Sequence, residues 1–247
     1  MTTVVSERVT FGVIVPSTNT VVEAEYNQIR PAGVSYHAGR IYIPNEDLDS
    51  DEMFESFLED LRTEMGKAIR DVVTCKPDYL IMGMSAETFW GGAAGNERFI
   101  KWVAEQSGLE VSTGASACKA ALDAVGAKRI AVITPYQPVG DEQVRGFFED
   151  MGFEVARVEG MKCPTATSIA DVTAEEVRQA FLDVDGDDVD ALVQCGTNLA
   201  VAAIAPGLEA ELGKPVIAIN VATVWHALRQ NGITDRIPGY GMLLEDY

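Results

Sequence analysis

The residues best suited to chemistry in this 247-residue chain stand where short apolar runs end. Cys195 closes the run in Asp190-Ala-Leu-Val-Gln-Cys-Gly-Thr-Asn198, which breaks into the small, polar residues Gly196 and Thr197. Ser85 ends a comparable stretch, Asp78-Tyr-Leu-Ile-Met-Gly-Met-Ser85, with Gly83 and Met84 at its turn. Tyr136 follows Pro135 after another such run, and Asn19 lies just beyond Pro16 after a fourth. A thiol placed this way can hold a proton or attack as a nucleophile. Hydroxyls and turn amides beside it can stabilise an oxyanion. If the segment after Cys195 opens a helix, its free N–H groups favour the thiolate and bind a carboxylate. A blander account is also open. Free cysteine packs as a small hydrophobe, Asn and Ser close turns or cap helices, and Tyr136 can be a packed aromatic, although a buried phenol needs a partner.

The elements that position these residues alternate between β-branched apolar runs and helical patterns, which reads as largely parallel sheets with crossover helices. Strands are expected over 10–15, 34–43, 79–82, 110–113, 129–134, 154–158, 191–194 and 216–219. Helices are expected over 51–75, 97–108, 115–125, 140–151, 173–183, 199–212 and 222–232. Thr173-Ala-Glu-Glu176 has capping-box spacing, and Lys76-Pro77 and Lys214-Pro215 end helices just before strands. The order then repeats. The segment 10–16 resembles 129–135, 78–85 resembles 190–197, and 111–122 resembles 216–228. The expectation is an α/β protein of two pseudo-symmetric, Rossmann-like lobes, 1–126 and 127–247, with a cleft between their strand tips. The C-terminal tail is a candidate to pack back on the first lobe.

Composition narrows the partners. The net charge of −19 disfavours nucleic acid and anionic membranes, and an anionic substrate has to be drawn in locally by amides and dipoles. No apolar run is long enough to span a bilayer. The first residues, Met1–Arg8, lack a basic region followed by an apolar one, so no secretory signal is expected and cytoplasm follows by default. The four cysteines form no Cys-x-x-Cys pair and the two histidines stand in no metal motif. No metal is expected.

The tips resemble the aspartate/glutamate racemase superfamily, in the branch of maleate cis-trans isomerases and arylmalonate decarboxylases. Pro16-Ser-Thr-Asn-Thr20 with Glu23-Ala-Glu25 is similar to the isomerase opening. Met82-Gly-Met-Ser85, Phe89-Trp-Gly-Gly-Ala-Ala94 and Pro238-Gly-Tyr-Gly241 are closer to the decarboxylase. Thr134-Pro-Tyr136 and Gln194-Cys-Gly196 fit both. The resemblance implies a pseudo-symmetric cleft, a small dicarboxylate substrate, no organic cofactor and self-association. It also implies that racemases and isomerases present one cysteine from each lobe. Here Cys195 matches the second-lobe cysteine and Gly83 holds the first-lobe position, as in arylmalonate decarboxylases. Cys75 and Cys118 are expected to lie too far from the tip to substitute for the missing first-lobe cysteine, and Cys163 is assigned to a loop without a role.

On this basis the expected activity is decarboxylation of a substituted malonate or similar diacid. Ser85, Tyr136, Thr197 and the amides around Met84 and Gly196 would stabilise an enediolate, and Cys195 would protonate it. Pro16, Asn19, Gly83, Met84, Gly196 and Thr197 are expected to contact substrate. Isomerisation of a cis-dicarboxylate needs a nucleophile and often a separate acid, and racemisation needs two opposed bases. Both are harder with one thiol. A binding protein that kept the cleft without the chemistry is the alternative of another class.

Overall fold

The first strand of each half explains the architecture. β1 (Val9–Pro16) is buried along all but its last residue, as a strand must be with neighbours on both sides and helices on both faces. It pairs in parallel with β2 (Val34–Ile41) and β3 (Tyr79–Met82), and β3 pairs with β4 (Val111–Ser112), in the order β2-β1-β3-β4. The second half repeats the plan. Here β5 (Arg129–Thr134), β6 (Glu154–Gly160), β7 (Ala191–Gln194) and β8 (Val216–Ala218) are ordered β6-β5-β7-β8, again all parallel. The computed structural model describes residues 3–44 and 51–247, apart from the side chains of residues 51, 52 and 54–60.

In each sheet the chain winds first to one edge and then back past its starting strand. The winding therefore reverses between β1 and β3 and between β5 and β7. Ligands of open α/β sheets bind beyond the strand ends at such switch points. Those ends carry Pro16, Gly83, Pro135 and Cys195.

The connecting helices are α1 (Val22–Ile29), α2 (Asp51–Val72), α3 (Ala86–Phe89), α4 (Gly92–Ser107), α5 (Gly114–Val125), α6 (Pro138–Asp150), α7 (Ala174–Val184), α8 (Ala205–Leu212), α9 (Ile219–Gln230) and α10 (Met242–Asp246). Thr173 caps α7 with the full reciprocal box to Glu176. A 3-10 turn over Val73–Cys75 ends at a left-handed Lys76, just before Pro77. Several elements depart from expectation. The helices α1, α3 and α10 are additional, with Val22, Tyr26 and Ile29 in the buried stripe of α1, and α9 starts at Ile219 where a strand was expected to run to 219. The helix expected over 199–212 begins only at Ala205, because the amides of Val201 and Ala202 are engaged by Glu25 of α1. α4 begins at Gly92, ahead of the expected 97.

The lobes share one core. α9 is buried on nearly every face, as expected of a helix with apolar residues all round. It packs on α1, α5 and β3 of the first half, so one apolar cluster runs through both sheets. A second cluster lies between the other face of the first sheet and helices α2 and α4. Arg8 and Asp235 pair at 2.5 Å and tie the C-terminal tail to the entry of β1. Among the described residues no helix is long and apolar enough to cross a membrane.

Candidate active site

Four loops meet where the switch points face each other. Asn19 closes the turn after β1, its Oδ1 accepting the N–H groups of Val21 and Val22 at 3.0 and 2.9 Å. Its Nδ2 crosses the cleft to Thr197 Oγ1 at 3.3 Å. Ser85, after β3, has its Oγ 2.6 Å from the Tyr136 hydroxyl and accepts the Thr197 N–H at 3.1 Å. Thr197 Oγ1 donates to the Gly83 carbonyl at 3.3 Å. Tyr136 is aimed by its backbone: its N–H bonds Thr134 Oγ1 at 2.9 Å, and that hydroxyl donates to Asp141 at 2.5 Å. Gly196 has φ of 136°, and a Cβ there would lie 2.4 Å from Pro135 Cδ. Only glycine allows this turn.

These loops enclose a cavity of about 70 Å³, room for a small acid or several waters. Of the residues expected at the site, Pro16, Asn19, Met84, Ser85, Tyr136, Gly196 and Thr197 line it. One end is polar, with Asn19, Ser85, Tyr136 and Thr197. Ile43, Leu61, Met84, Ala166 and Ile169 supply apolar wall. Among the described residues none of the lining side chains is charged. What those residues offer an anion is dipoles and hydrogen bonds.

Gly83, expected to contact substrate, and Cys195 are not among the residues that line the cavity; each precedes one that does, Met84 and Gly196. They occupy equivalent positions: Gly83 N–H bonds Ile14 of β1 at 2.8 Å, and Cys195 N–H bonds Ile133 of β5 at 2.9 Å. Cys195 is 0% exposed. Burial, then the adjacent Cys118 thiol, hold its pKa well above the usual thiol range. No helix opens after Cys195, since α8 starts only at Ala205, so helix-terminal stabilisation of a thiolate is absent. Cys118 corrects an expectation: it was placed too far from the tip to matter, but α5 brings it beside Cys195, on the second-lobe thiol and not at Gly83. Cys163 is not incidental to the cavity: it belongs to the wall, held by its N–H bond to the Pro135 carbonyl at 3.0 Å, and burial raises its pKa. Cys75 lies exposed at the opposite end of β3.

Tyr136 is buried against Ser85, and that burial pushes its phenol far up, so it remains a donor. Burial also lifts Asp141 to about 6. Sequence reasoning missed Thr18, Gln137 and Asn198, whose signal was adjacency to Asn19, Tyr136 and Thr197. It also missed Ile43, Leu61, Ala166 and Ile169, which reach the wall from distant segments and carry no local signal. Arg40 stabilises the Pro16 turn from outside, donating to the carbonyls of Pro16 and Asn19 at 3.1 and 2.7 Å. Among the described residues no cluster of three or more His, Cys, Asp or Glu is placed to hold a metal ion.

Comparison with known proteins identifies the family. The family model for arylmalonate decarboxylase matches residues 11–244. A maleate isomerase of Pseudomonas putida is 28% identical over 245 residues, covering 94% of this chain and 96% of that protein. The arylmalonate decarboxylase of Bordetella bronchiseptica is 30% identical over 172 residues, covering 67% of this chain and 70% of that protein. Among solved structures, a cysteine-to-serine variant of Nocardia farcinica maleate cis-trans isomerase holds a covalently bound succinylcysteine intermediate. It superposes with a TM-score of 0.87 at 26% identity, covering 96% of this chain and 98% of that one. The chain belongs to the arylmalonate decarboxylase family, a family of decarboxylases and maleate isomerases.

Proposed function

We propose that the protein is a cofactor-independent decarboxylase of a substituted malonate or similar small dicarboxylic acid, with Cys195 as the proton donor. The observation that carries this reading is the asymmetry between Gly83 and Cys195. The two positions are equivalent in the fold, yet only one holds a thiol. At Gly83 an added Cβ would meet Val22 Cγ1 at 2.9 Å and Val15 Cγ2 at 3.0 Å. The first lobe thus has apolar packing where a second acid or base would stand.

In the proposed reaction one carboxylate binds at the polar end and takes over the donors that now bond each other. Hydrogen bonds are exchanged rather than created, so their net cost is small. The other carboxylate lies against the apolar wall, where the described residues place no charged side chain and loss of charge as carbon dioxide is favoured. The carbon–carbon bond breaks and its electron pair enters the remaining carboxyl group as an enediolate. Tyr136, Ser85 and the Thr197 N–H stabilise that charge, each donor contributing about 3 kcal/mol. Cys195 then gives its proton to the α-carbon, and water restores the thiol. Burial keeps the thiol protonated, the state a donor needs and a nucleophile does not.

A second reading, maleate cis-trans isomerisation, is favoured by the match of the maleate isomerases along nearly the whole chain. It would require Cys195 as thiolate nucleophile, with Asn19 or Tyr136 assisting. Carbon dioxide release from a panel of α-substituted malonates, run beside maleate, separates the two. Gas from a malonate with maleate untouched is expected; fumarate from maleate without gas from any malonate reverses the order.

A further inference from the structure

Glu25 lies outside the cavity on α1, yet three groups that shape the Cys195 loop converge on its carboxylate. Its Oε1 accepts the N–H groups of Val201 and Ala202 at 3.1 and 3.0 Å. Its Oε2 accepts Asn220 Nδ2 at 2.7 Å. The same Nδ2 donates to the Thr197 carbonyl at 2.9 Å, on the residue whose N–H faces Ser85. Glu25 is 7% exposed, and among the described residues its hydrogen-bond partners are Val201, Ala202 and Asn220, none of them a cation. A buried carboxylate tolerates such a place only when donors replace water, and here those donors come from the second half of the chain. We propose that Glu25 is a positioning residue that sets the Cys195–Thr197 turn from the opposite lobe, through Asn220 at one end and Val201–Ala202 at the other.

The consequence for chemistry rests on the reaction proposed above. The segment between Cys195 and α8 has little secondary structure of its own. Its direction is fixed at Thr197 and again at Val201–Ala202, and both anchors trace to one carboxylate. Asn220 can serve only one way round. Its Nδ2 must face both Glu25 and the Thr197 carbonyl, which leaves Oδ1 buried and without a partner among the described residues. Glu25→Gln keeps an acceptor for Val201 and Ala202 but opposes its own NH₂ to that of Asn220. If Asn220 turns over to accept, the Thr197 carbonyl loses its donor. Glu25→Ala removes the anchor at Val201–Ala202 outright and leaves Asn220 bonded to the Thr197 carbonyl without its own support.

The test combines amide hydrogen exchange with kinetics on Glu25→Gln, Glu25→Ala and, as control, Gln28→Ala on the exposed side of the same helix. In Glu25→Ala, amides within 195–204 should exchange about tenfold faster while β5 and α7 keep their protection. Turnover should fall by about 10²-fold through kcat, with KM changed far less, since misplacement of about 1 Å has that effect. Glu25→Gln should lose turnover with smaller exchange changes confined near Thr197, and it carries the test if the alanine variant does not fold. Uniformly faster exchange in both lobes, or wild-type kcat in a folded Glu25→Gln, overturns the proposal. If the wild type turns over neither malonates nor maleate, the reaction assigned above fails, and the exchange pattern alone decides the role of Glu25.

Discussion

Ser85 Oγ and the Tyr136 hydroxyl, on loops from opposite lobes, stand 2.6 Å apart and close the polar end of the cavity. With the Thr197 N–H also directed at Ser85, the groups suited to hold an oxyanion hold one another. The cleft is preorganised by its own donors, and a substrate carboxylate enters by exchange.

Tyr136→Phe removes a donor while keeping the ring that packs behind it. Turnover should drop by roughly 10²–10³-fold with little change in melting temperature. Ser85→Ala should cost a similar factor. The double variant should lose less than the product of the two, because the hydroxyls belong to one network. Steady-state kinetics on all three proteins check this.

Gly83→Cys should destabilise the protein before it changes any chemistry. The position does not have positive φ, so backbone strain is not the obstacle. The new side chain would instead press on Val22 and Val15, and overpacking of this kind costs about 1–3 kcal/mol. Adding Val22→Ala should recover part of the loss in denaturant titrations.

Cys118→Ala tests the setting of the thiol. Burial is the main reason that the Cys195 pKa is high, and Cys118 is the next. Without Cys118 the thiol should ionise at lower pH, and the alkaline limb of the pH–rate profile should move down. The variant should retain turnover at neutral pH and lose stability on the order of 1 kcal/mol. An unmoved alkaline limb would remove Cys118 from the account.

Asp141 gives the pH dependence of stability. Burial raises its pKa to about 6, the bond from Thr134 and the charge of Lys162 oppose this, and Glu159 and Glu142 add to it. The folded state therefore holds this proton more tightly than the unfolded chain does. Its contribution is fully present below the ordinary value of 3.8 and is lost as pH rises through about 6. Asp141→Asn should flatten that part of the melting-temperature profile, and it keeps an oxygen to accept from Thr134.

Much of the scaffold was legible because parallel strands buried on both faces read as continuous apolar runs, and the paired segments at 10–16 and 129–135 exposed the pseudo-symmetry. The polar end was legible too, since strand tips place Asn19, Ser85, Tyr136 and Thr197 by local sequence. The apolar wall was not. Ile43, Leu61 and Ile169 look like ordinary core residues until the fold gathers them. The loop after Cys195 misled for a similar reason: 199–212 has a helical pattern, but Glu25, far away in sequence, engages two of its amides. Glu25 itself was noted only as part of an opening motif.

The most direct measurement is proton NMR in deuterated buffer, following an α-substituted malonate and maleate with the wild type and with Cys195→Ala. The expected result is a monoacid carrying one deuterium at its α-carbon from the malonate, no fumarate from maleate, and loss of the product signal in folded Cys195→Ala. Vigorous conversion of maleate to fumarate by the wild type, or full decarboxylation by the alanine variant, would contradict it.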